Sequence, residues 1–189
     1  MNEQSFSLEP FPTASPVPDL KVTGNIARYS NTLAIRYTLQ GHLGELVIPA
    51  PVDMPARKNE LWEETCLEFF LAVKNSPGYW EFNLSPAGHW AVYRFAGYRQ
   101  GMQEEMAFTS LPFSVQNQSN SLSLALELDL DNIVQASQTL EVAISAVIKH
   151  REGDLSYWAL AHTSPQADFH PRDSFQLNVG RGRPLYPQG

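Results

Sequence analysis

Residues 121–130, SLSLALELDL, alternate leucine with small or charged residues without interruption. Every even position is leucine, and the positions between them are serine, alanine, glutamate or aspartate. Successive side chains of a β-strand point to opposite faces, so a repeat of two indicates a strand with one buried and one solvated face. This segment therefore predicts β-structure.

The same period of two continues on both sides of this segment. It is clear in residues 31–41 (NTLAIRYTLQG) and 139–150 (TLEVAISAVIKH), and weaker in 79–85, 89–95, 156–162 and 174–179. Turn signals such as NSPG, SPAG and REGD separate the segments, while sustained helical periodicity is scarce. Many short strands with turn-rich spacers predict an all-β fold, an antiparallel β-sandwich of the immunoglobulin-like or jelly-roll-like Greek-key kind with few short helices. One helical turn is expected near residues 129–137.

A chain of 189 residues with 43% hydrophobic and 17% charged residues fits one domain, and no internal repeat or linker divides it. We therefore expect a single domain over residues 1–189. Four prolines fall between Pro10 and Pro18. Proline removes a backbone donor, so residues 1–19 are expected to form an extended, poorly paired lead-in along the surface.

Charge and cysteine content exclude several classes of function. A net charge of -7 argues against nucleic-acid partners, because binding to phosphates depends on clustered Lys and Arg. Cys66 is the only cysteine, so the chain can form neither an internal disulfide nor a zinc site built on several cysteines; we expect a buried apolar thiol. No segment approaches the about 20 apolar residues of a membrane span, and no signal peptide is evident. The sequence thus predicts a cytoplasmic protein without a membrane partner.

Residues 60–75, ELWEETCLEFFLAVKN, fit either an amphipathic helix or a strand, and the strand-rich context favours a strand. In a strand, one face carries Leu67, Phe69, Leu71 and Val73 towards the core, and the other carries Trp62, Glu64, Cys66, Glu68 and Phe70. If Val73 and Gly78 close a hairpin, Glu68 lies opposite Asn83 and Phe70 lies opposite Glu81. Acids and an amide then share one face.

A carboxylate, an amide and an indole on adjacent strands are suited to holding a polyol, because the polar groups bind hydroxyls and the indole stacks on C–H groups. The alternative is that Glu68 and Glu81 are solvated residues on the wet face of a sheet. A further alternative is a glycoside hydrolase, in which two carboxyls drawn from Glu63, Glu64, Glu68 and Glu81 act as acid and base.

The histidines and aspartates form no compact metal-binding motif, although His162, Asp168 and His170 are close in sequence. The sequence leaves a structural calcium site open, with Asp53, Asp129, Asp131 and Asp154 as its candidates. It contains neither a Gly-rich phosphate loop after a strand nor a GxSxG elbow.

Four runs of sequence resemble the DOMON-like group related to family 9 carbohydrate-binding modules. They are residues 60–72 (ELWEETCLEFFLA), 79–95 (YWEFNLSPAGHWAVYRF), 145–162 (SAVIKHREGDLSYWALAH) and 168–175 (DFHPRDSF), and the resemblance covers roughly residues 33–177. It implies a β-sandwich whose concave face binds either a sugar between aromatic rings or a haem. In the module branch it implies binding without catalysis.

Carried over to this chain, the resemblance implies that Trp62 is one aromatic plate and Glu68 the carboxylate that binds hydroxyls. Trp158 or Phe169 would supply the second plate, although no Trp follows Phe169 as the module pattern requires. The candidate ligand-binding residues are Arg57, Trp62, Glu68, Glu81, Asn83, Trp158, Phe169 and His170. Without a signal peptide, the expected ligand is a soluble intracellular saccharide or glycoside. Haem would need axial ligands, for which the candidates are Met54, Met102, Met106, His89, His162 and His170.

Overall fold

The computed structural model describes residues 3–13 and 19–180, and these residues confirm the predicted all-β class. They form strands and three short 3-10 turns, Leu43–Glu45, Leu61–Glu63 and Arg172–Ser174, with no α-helix among them. The strands are β1 (Gln4–Pro10), β2 (Leu20–Tyr29), β3 (Thr32–Gly41), β4 (Cys66–Val73), β5 (Tyr79–Leu84), β6 (Trp90–Phe95), β7 (Gln103–Glu104), β8 (Phe113–Asn117), β9 (Ser121–Asp129), β10 (Leu140–Lys149), β11 (Leu155–Ala159) and β12 (Leu177–Val179).

The strands join into one curled antiparallel sheet in the order β7-β6-β5-β4-β10-β11-β1-β2-β3-β9-β8, with β12 also paired to β10. The sheet turns at β1, whose first part pairs with β2 and whose last residues, Glu9 and Pro10, pair with β11. The two halves pack on each other, and the Tyr37 hydroxyl in β3 donates to the Glu68 carbonyl in β4 over 2.6 Å. We call β1, β2, β3, β9 and β8 the first layer, and the other strands the second layer.

The main core lies between the two layers and is filled by the alternating residues. The five leucines of residues 121–130 are all buried, at 5% exposed or less, as the alternation predicts. From the second layer, β4 contributes Leu67, Phe69 and Leu71, and the Phe69 ring stacks on Phe82 with 4.4 Å between the ring centroids. Each such side chain stabilises the fold by about 1.5–3 kcal/mol through burial.

A second apolar cluster covers the outer face of the second layer. Phe70 and Tyr79 form its centre, and Phe169 and Phe175 from the segment after β11 pack over them. Strand β4 is consequently buried on both faces from Cys66 to Ala72. A strand covered on both sides needs apolar residues at consecutive positions, which explains why its sequence also fits a helix.

The opening segment differs from the expected poorly paired lead-in. Strand β1 pairs with both neighbours and buries Phe6 and Leu8 in the main core, so the prediction was wrong for residues 4–10. Its prolines stand at the end of the paired stretch and after it, where fewer ladder hydrogen bonds are needed. Residues 14–18, which include Pro16 and Pro18, lie outside the described ranges.

Strand β2 has no counterpart in the sequence prediction because Gly24 interrupts its alternation. A Cβ atom at Gly24 would come within 2.4 Å of the Phe6 ring and 1.9 Å of the Arg36 carbonyl oxygen. Phe6 and the Arg36 carbonyl thus lie too close to the backbone at position 24 for any residue with a side chain.

One further local prediction needs correction, because Trp62 lies in the 3-10 turn Leu61–Glu63 and the strand begins only at Cys66. The turn expected near residues 129–137 is present without a regular helix: the Val134 amide donates to the Leu130 carbonyl over 2.9 Å, and Asp129 accepts from the Asp131 amide. In the part of the chain that is described, no helix is both long and apolar enough to cross a membrane.

Candidate functional site

The β4–β5 hairpin has the register that was predicted. Glu68 pairs with Asn83, and Phe70 pairs with Glu81, so the acids and the amide lie on the outer face of the second layer. They are not solvated, since Glu68 is 2% exposed, Glu81 6% and Asn83 0%. The interpretation of these residues as a wet sheet face was therefore wrong, because the segment after β11 covers this face.

A cavity of about 540 Å³ opens on this outer face. Its floor is formed by outward-facing side chains of β4, β5, β10 and β11, and its walls come from the turn before β4 and from the loops after β6 and β11. Its lining residues are Trp62, Glu63, Glu68, Glu81, Phe95, Arg99, Met102, Val147, Leu155, Tyr157, Ala167, Asp168, Phe169 and His170. Five of the predicted site residues, Trp62, Glu68, Glu81, Phe169 and His170, thus meet in one place.

Aromatic rings line the cavity in two groups. The half-buried Trp62 meets the Tyr93 ring edge-on at 6.1 Å, and the backbone just before its turn is left-handed at Glu60, with φ of 60°. Tyr157 of β11 also lines the cavity, and its ring lies 6.1 Å from that of Phe169. Aromatic side chains offer flat apolar surfaces on which a sugar ring can stack.

Trp158, one of the two residues expected to supply the second plate, does not line this cavity. Its side chain is 3% exposed and packs into the main core, while its indole N–H donates to Ser156. Adjacent residues of a strand face opposite sides, so the ring on the cavity side is that of Tyr157.

Glu68 is the most deeply buried carboxyl at the floor of the cavity. One oxygen, Oε2, accepts a long hydrogen bond of 3.4 Å from the Ser145 hydroxyl on β10. The other, Oε1, makes no hydrogen bond at the usual distances among the described residues, and neither does Oδ1 of Asn83, although the neighbouring Cys66 thiol acts to lower the pKa of Glu68. Burial raises the pKa of Glu68 well above its ordinary value, and the charge of Glu81 raises it further.

Glu81 lies beside it and is also buried. Its Oε1 accepts a hydrogen bond of 3.0 Å from the Asn83 side chain. Asn83 itself does not line the cavity, so it acts on the site by orienting the Glu81 carboxyl. Burial raises the pKa of Glu81 to about 7, although the Asn83 hydrogen bond and the charge of Arg99 act to lower it. Near neutral pH this carboxyl is therefore close to half-protonated.

His170 faces Glu81 from the segment after β11. The Tyr79 hydroxyl lies within hydrogen-bond distance of Nδ1, at 2.8 Å, and accepts a hydrogen bond from the Arg99 amide. The other ring nitrogen, Nε2, lies 3.8 Å from Glu81 Oε2. Burial and the charge of Arg99 lower the pKa of His170 to about 4, so this contact joins a neutral imidazole to the acid and is no ion pair at neutral pH.

The cation at this site is Arg99, which the sequence did not reveal. Its guanidinium pairs with Asp168 over 2.8 Å, and the Tyr98 hydroxyl donates to the other oxygen of Asp168 over 2.5 Å. Burial alone would raise the pKa of Asp168, but these hydrogen bonds outweigh it and lower the pKa. Arg99 has a left-handed backbone, with φ of 51°, in the tight loop after β6.

Arg57, the cation expected near Glu68, lies elsewhere. It donates to the carbonyls of Glu105 and Phe108 over 3.0 and 2.6 Å, and its guanidinium lies 4.4 Å from the centre of the Trp90 ring. It does not line the cavity. Arg57 thus holds the loop before β8, and its position is set by backbone acceptors that a sequence pattern does not display.

The candidate metal and haem ligands are mostly scattered. Among residues 3–13 and 19–180, no three His, Cys, Asp or Glu side chains are grouped to hold a metal ion. Met54 and Met106 are exposed, and the His89 and His162 rings contact the Ala56 amide and the Glu9 carbonyl. Of the haem candidates, only Met102 and His170 line the cavity.

Known structures share the fold of this chain at low sequence identity. A proposed carbohydrate-binding protein from Bacteroides uniformis matches with a TM-score of 0.65 and 13% identity, covering 94% of this chain and 85% of that one. A family 9 carbohydrate-binding module from Caldicellulosiruptor kristjanssonii, solved with glucose, matches with a TM-score of 0.54 and 8% identity, covering 93% and 84%. The same module with cellotriose gives 0.54 and 9%. No protein-family model and no curated protein matches the sequence. The likeness to family 9 modules is thus confirmed for the fold.

Proposed function

We propose that this protein binds a saccharide in the cavity on the outer face of the second layer and does not transform it. The observation that carries the proposal is a buried, unpartnered carboxylate oxygen, Oε1 of Glu68, at the floor of a cavity walled by Trp62 and Tyr157. The glucose and cellotriose complexes of a module with the same fold support it. So does the volume of about 540 Å³, which falls within the range of small-molecule sites.

The floor and the walls of the cavity can each hold a part of a sugar. A hydroxyl group can donate to Glu68 Oε1, which would otherwise remain a buried acceptor without a partner. A second hydroxyl can meet Glu81, which also lines the cavity and whose Oε2 lies 3.8 Å from His170 Nε2. The apolar C–H face of the ring can stack on the half-buried Trp62.

Binding without catalysis is supported by the fold, since the modules solved with glucose and cellotriose share it. A pair of catalytic carboxyls needs surroundings that keep one protonated and the other ionised. Burial raises the pKa of both Glu68 and Glu81, and the charge of Glu81 raises that of Glu68 further, so turnover of glycosides is measured beside binding.

Titration calorimetry with a panel of mono- and oligosaccharides tests the proposal. Glu68→Gln keeps the shape but puts an amide NH2, which cannot accept a hydrogen bond, in place of one carboxyl oxygen, so affinity should fall by about 0.5–1.5 kcal/mol, the value of a neutral hydrogen bond. Trp62→Ala should weaken binding by about 1–3 kcal/mol through lost stacking. Glu152→Gln is the same substitution in an exposed turn that does not line the cavity, and it is the matched control, with affinity unchanged.

Three results would contradict the proposal. The first is that no sugar in the panel binds, and the second is that a sugar binds equally well to Glu68→Gln and Trp62→Ala. The third is release of the chromophore from aryl glycosides, which would make the protein a hydrolase. A Soret band on addition of haem, lost in His170→Ala, would instead support the haem alternative.

A further inference from the structure

The charges around the cavity point to a ligand that is itself positively charged, and we propose that the saccharide held there is an amino sugar in its ammonium form. This inference rests on the proposed function and narrows it to one class of sugar. It depends on three features of the cavity: its uncompensated carboxyls, its unpartnered acceptors and its aromatic walls.

The formally charged side chains around the cavity are mostly acidic. The lining residues include the carboxyls Glu63, Glu68, Glu81 and Asp168 and a single guanidinium, Arg99. Arg99 and Asp168 neutralise each other over 2.8 Å, and Glu63 is exposed at the rim. The two buried carboxyls on the floor form no ion pair with Arg99, which is paired with Asp168 and only moderates the pKa of Glu81. A cationic ligand would favour their ionised forms, whereas an anionic ligand would keep them protonated and find no partner for its charge.

One ammonium group can serve the two free acceptors on the floor. Glu68 Oε1 has no partner, and Glu81 Oε2 has only the His170 contact at 3.8 Å, which is longer than a hydrogen bond. Glu68 pairs with Asn83, so Glu81 is its diagonal neighbour on the next strand. An ammonium group carries three donors and no acceptor, so it can serve both carboxyls at once, whereas a hydroxyl group donates only one hydrogen.

The walls of the cavity suit the rest of such a ligand. The faces of Trp62 and Tyr157 can attract a cation as well as stack on a sugar ring, because the aromatic quadrupole is negative at its face. The cavity suits a metal ion less well than an ammonium group, because no three His, Cys, Asp or Glu side chains are grouped in the described part of the chain. An ammonium attached to a sugar ring, whose C–H face is apolar, fits both the floor and the walls.

Binding of an ammonium group has a distinctive proton balance. Burial raises the pKa of Glu68 and Glu81, and a cation placed between them favours their ionised forms, so binding should release protons to the buffer. The other titratable groups around the two carboxyls are Tyr37, Cys66, Tyr79, Tyr93, Arg99, Asp168 and His170. A neutral sugar carries no charge that would favour ionisation of the carboxyls, so its binding should release no protons.

The test compares matched sugars by titration calorimetry at about pH 6, where an amine is protonated. Glucosamine is compared with glucose and with N-acetylglucosamine, which keeps the nitrogen but not the charge, and the galactose series is measured in parallel. The aminated sugar should bind at least about tenfold more tightly than either neutral form. Repeating the titration in buffers of different ionisation enthalpy should show proton release for glucosamine alone.

Glu81→Gln should remove most of the advantage of the amine, whereas Glu152→Gln should keep it. Neutral sugars that bind as tightly as the amines, or equal proton release for all of them, would overturn this inference and leave saccharide binding intact. An amine advantage that persists in both Glu68→Gln and Glu81→Gln would also overturn it, because the ammonium would then be bound elsewhere. If no sugar of either series binds, this inference falls together with the proposed function.

Discussion

At the scale of single residues, the two carboxyls on the cavity floor determine how stability responds to pH. Burial raises the folded-state pKa of Glu81 from 4.5 to about 7 and raises that of Glu68 as well, so the folded state holds more protons than the unfolded state. The contribution of Glu81 to stability is complete below about pH 4.5 and is lost as the pH rises through about 7, and the raised pKa of Glu68 acts in the same direction. We expect a loss on the order of 3 kcal/mol over this window, measured by urea denaturation at a series of pH values.

The matched variants separate this effect from the rest of the chain. Glu81→Gln cannot ionise, so at pH 8 it should be more stable than the parent protein, while at pH 4 the two should be nearly equal. Glu152→Gln should follow the parent at every pH. A Glu81→Gln protein that is destabilised at pH 8 would mean that the ionised carboxylate stabilises the fold, contrary to this account.

Cys66 gives a second prediction at the residue scale. Its side chain is 0% exposed, and burial together with the charge of Glu68 raises the pKa of its thiol. The thiolate is the reactive form, so a thiol reagent should label the native protein very slowly and the denatured protein stoichiometrically. Fast labelling without denaturant would show that the β4 strand opens readily or that Cys66 is a functional group.

At the scale of elements, a single aspartate ties two loops over the cavity. Asp168, in the segment after β11, accepts from Arg99 and Tyr98 in the loop after β6 and from the His170 amide. Asp168→Asn should increase hydrogen exchange in residues 96–101 and 163–170 and weaken ligand binding. Since the Arg99 side chain is 53% exposed, the free energy of unfolding should change by less than about 1 kcal/mol.

Asp154→Asn, in an exposed turn without this ion pair, removes the same charge and is the control for that experiment. It should leave exchange in both loops unchanged. If Asp168→Asn also leaves them unchanged, the ion pair does not order the loops. A large loss of global stability would instead show that Asp168 belongs to the folding core.

The sequence predicts well those strands whose assignment and register depend only on the alternation of apolar and polar residues. Strands β3, β9 and β10 and the register of the β4–β5 hairpin follow from which residues must face the core. The register in turn predicts that Glu68 and Glu81 share a face. Strand β2 could not be predicted in this way, because the close approach of Phe6 requires glycine at position 24.

The walls of the cavity were harder to predict than its floor. Arg99 and Asp168 lie on loops, and the position of a loop depends on contacts between residues far apart in sequence, here about 70 residues. Tyr157 could have been found by parity, since it pairs with Val147, whose neighbours Ala146 and Ile148 face the main core. Arg57 and Trp158 have suitable chemistry, but neither lines the cavity.

At the scale of the whole molecule, β1 holds the two layers together. Phe6 is 6% exposed, meets Tyr37 edge-on at 5.6 Å and fills the space above Gly24. Phe6→Ala should lower the free energy of unfolding by about 3–5 kcal/mol, measured by urea denaturation. Sugar affinity of the remaining folded protein should not change, because the cavity lies on the far face of the second layer.

Val52→Ala, at a 40% exposed position, should change the stability by no more than about 0.5 kcal/mol and serves as the control. A loss of ligand affinity in folded Phe6→Ala would show that packing between the layers shapes the cavity. A loss of stability below about 1 kcal/mol would show that β1 contributes little to holding the layers together.

The position of β1 also has a consequence for the rate of folding. Glu9 pairs with Ala159, so this strand can take its place only after segments from distant parts of the chain have met. Closing so long a loop is entropically unfavourable, and folds rich in such distant pairings form in milliseconds to seconds instead of microseconds. Until β1 docks, the adjoining edges of β2 and β11 are open to strands of other chains. Refolding yield should therefore fall as protein concentration rises.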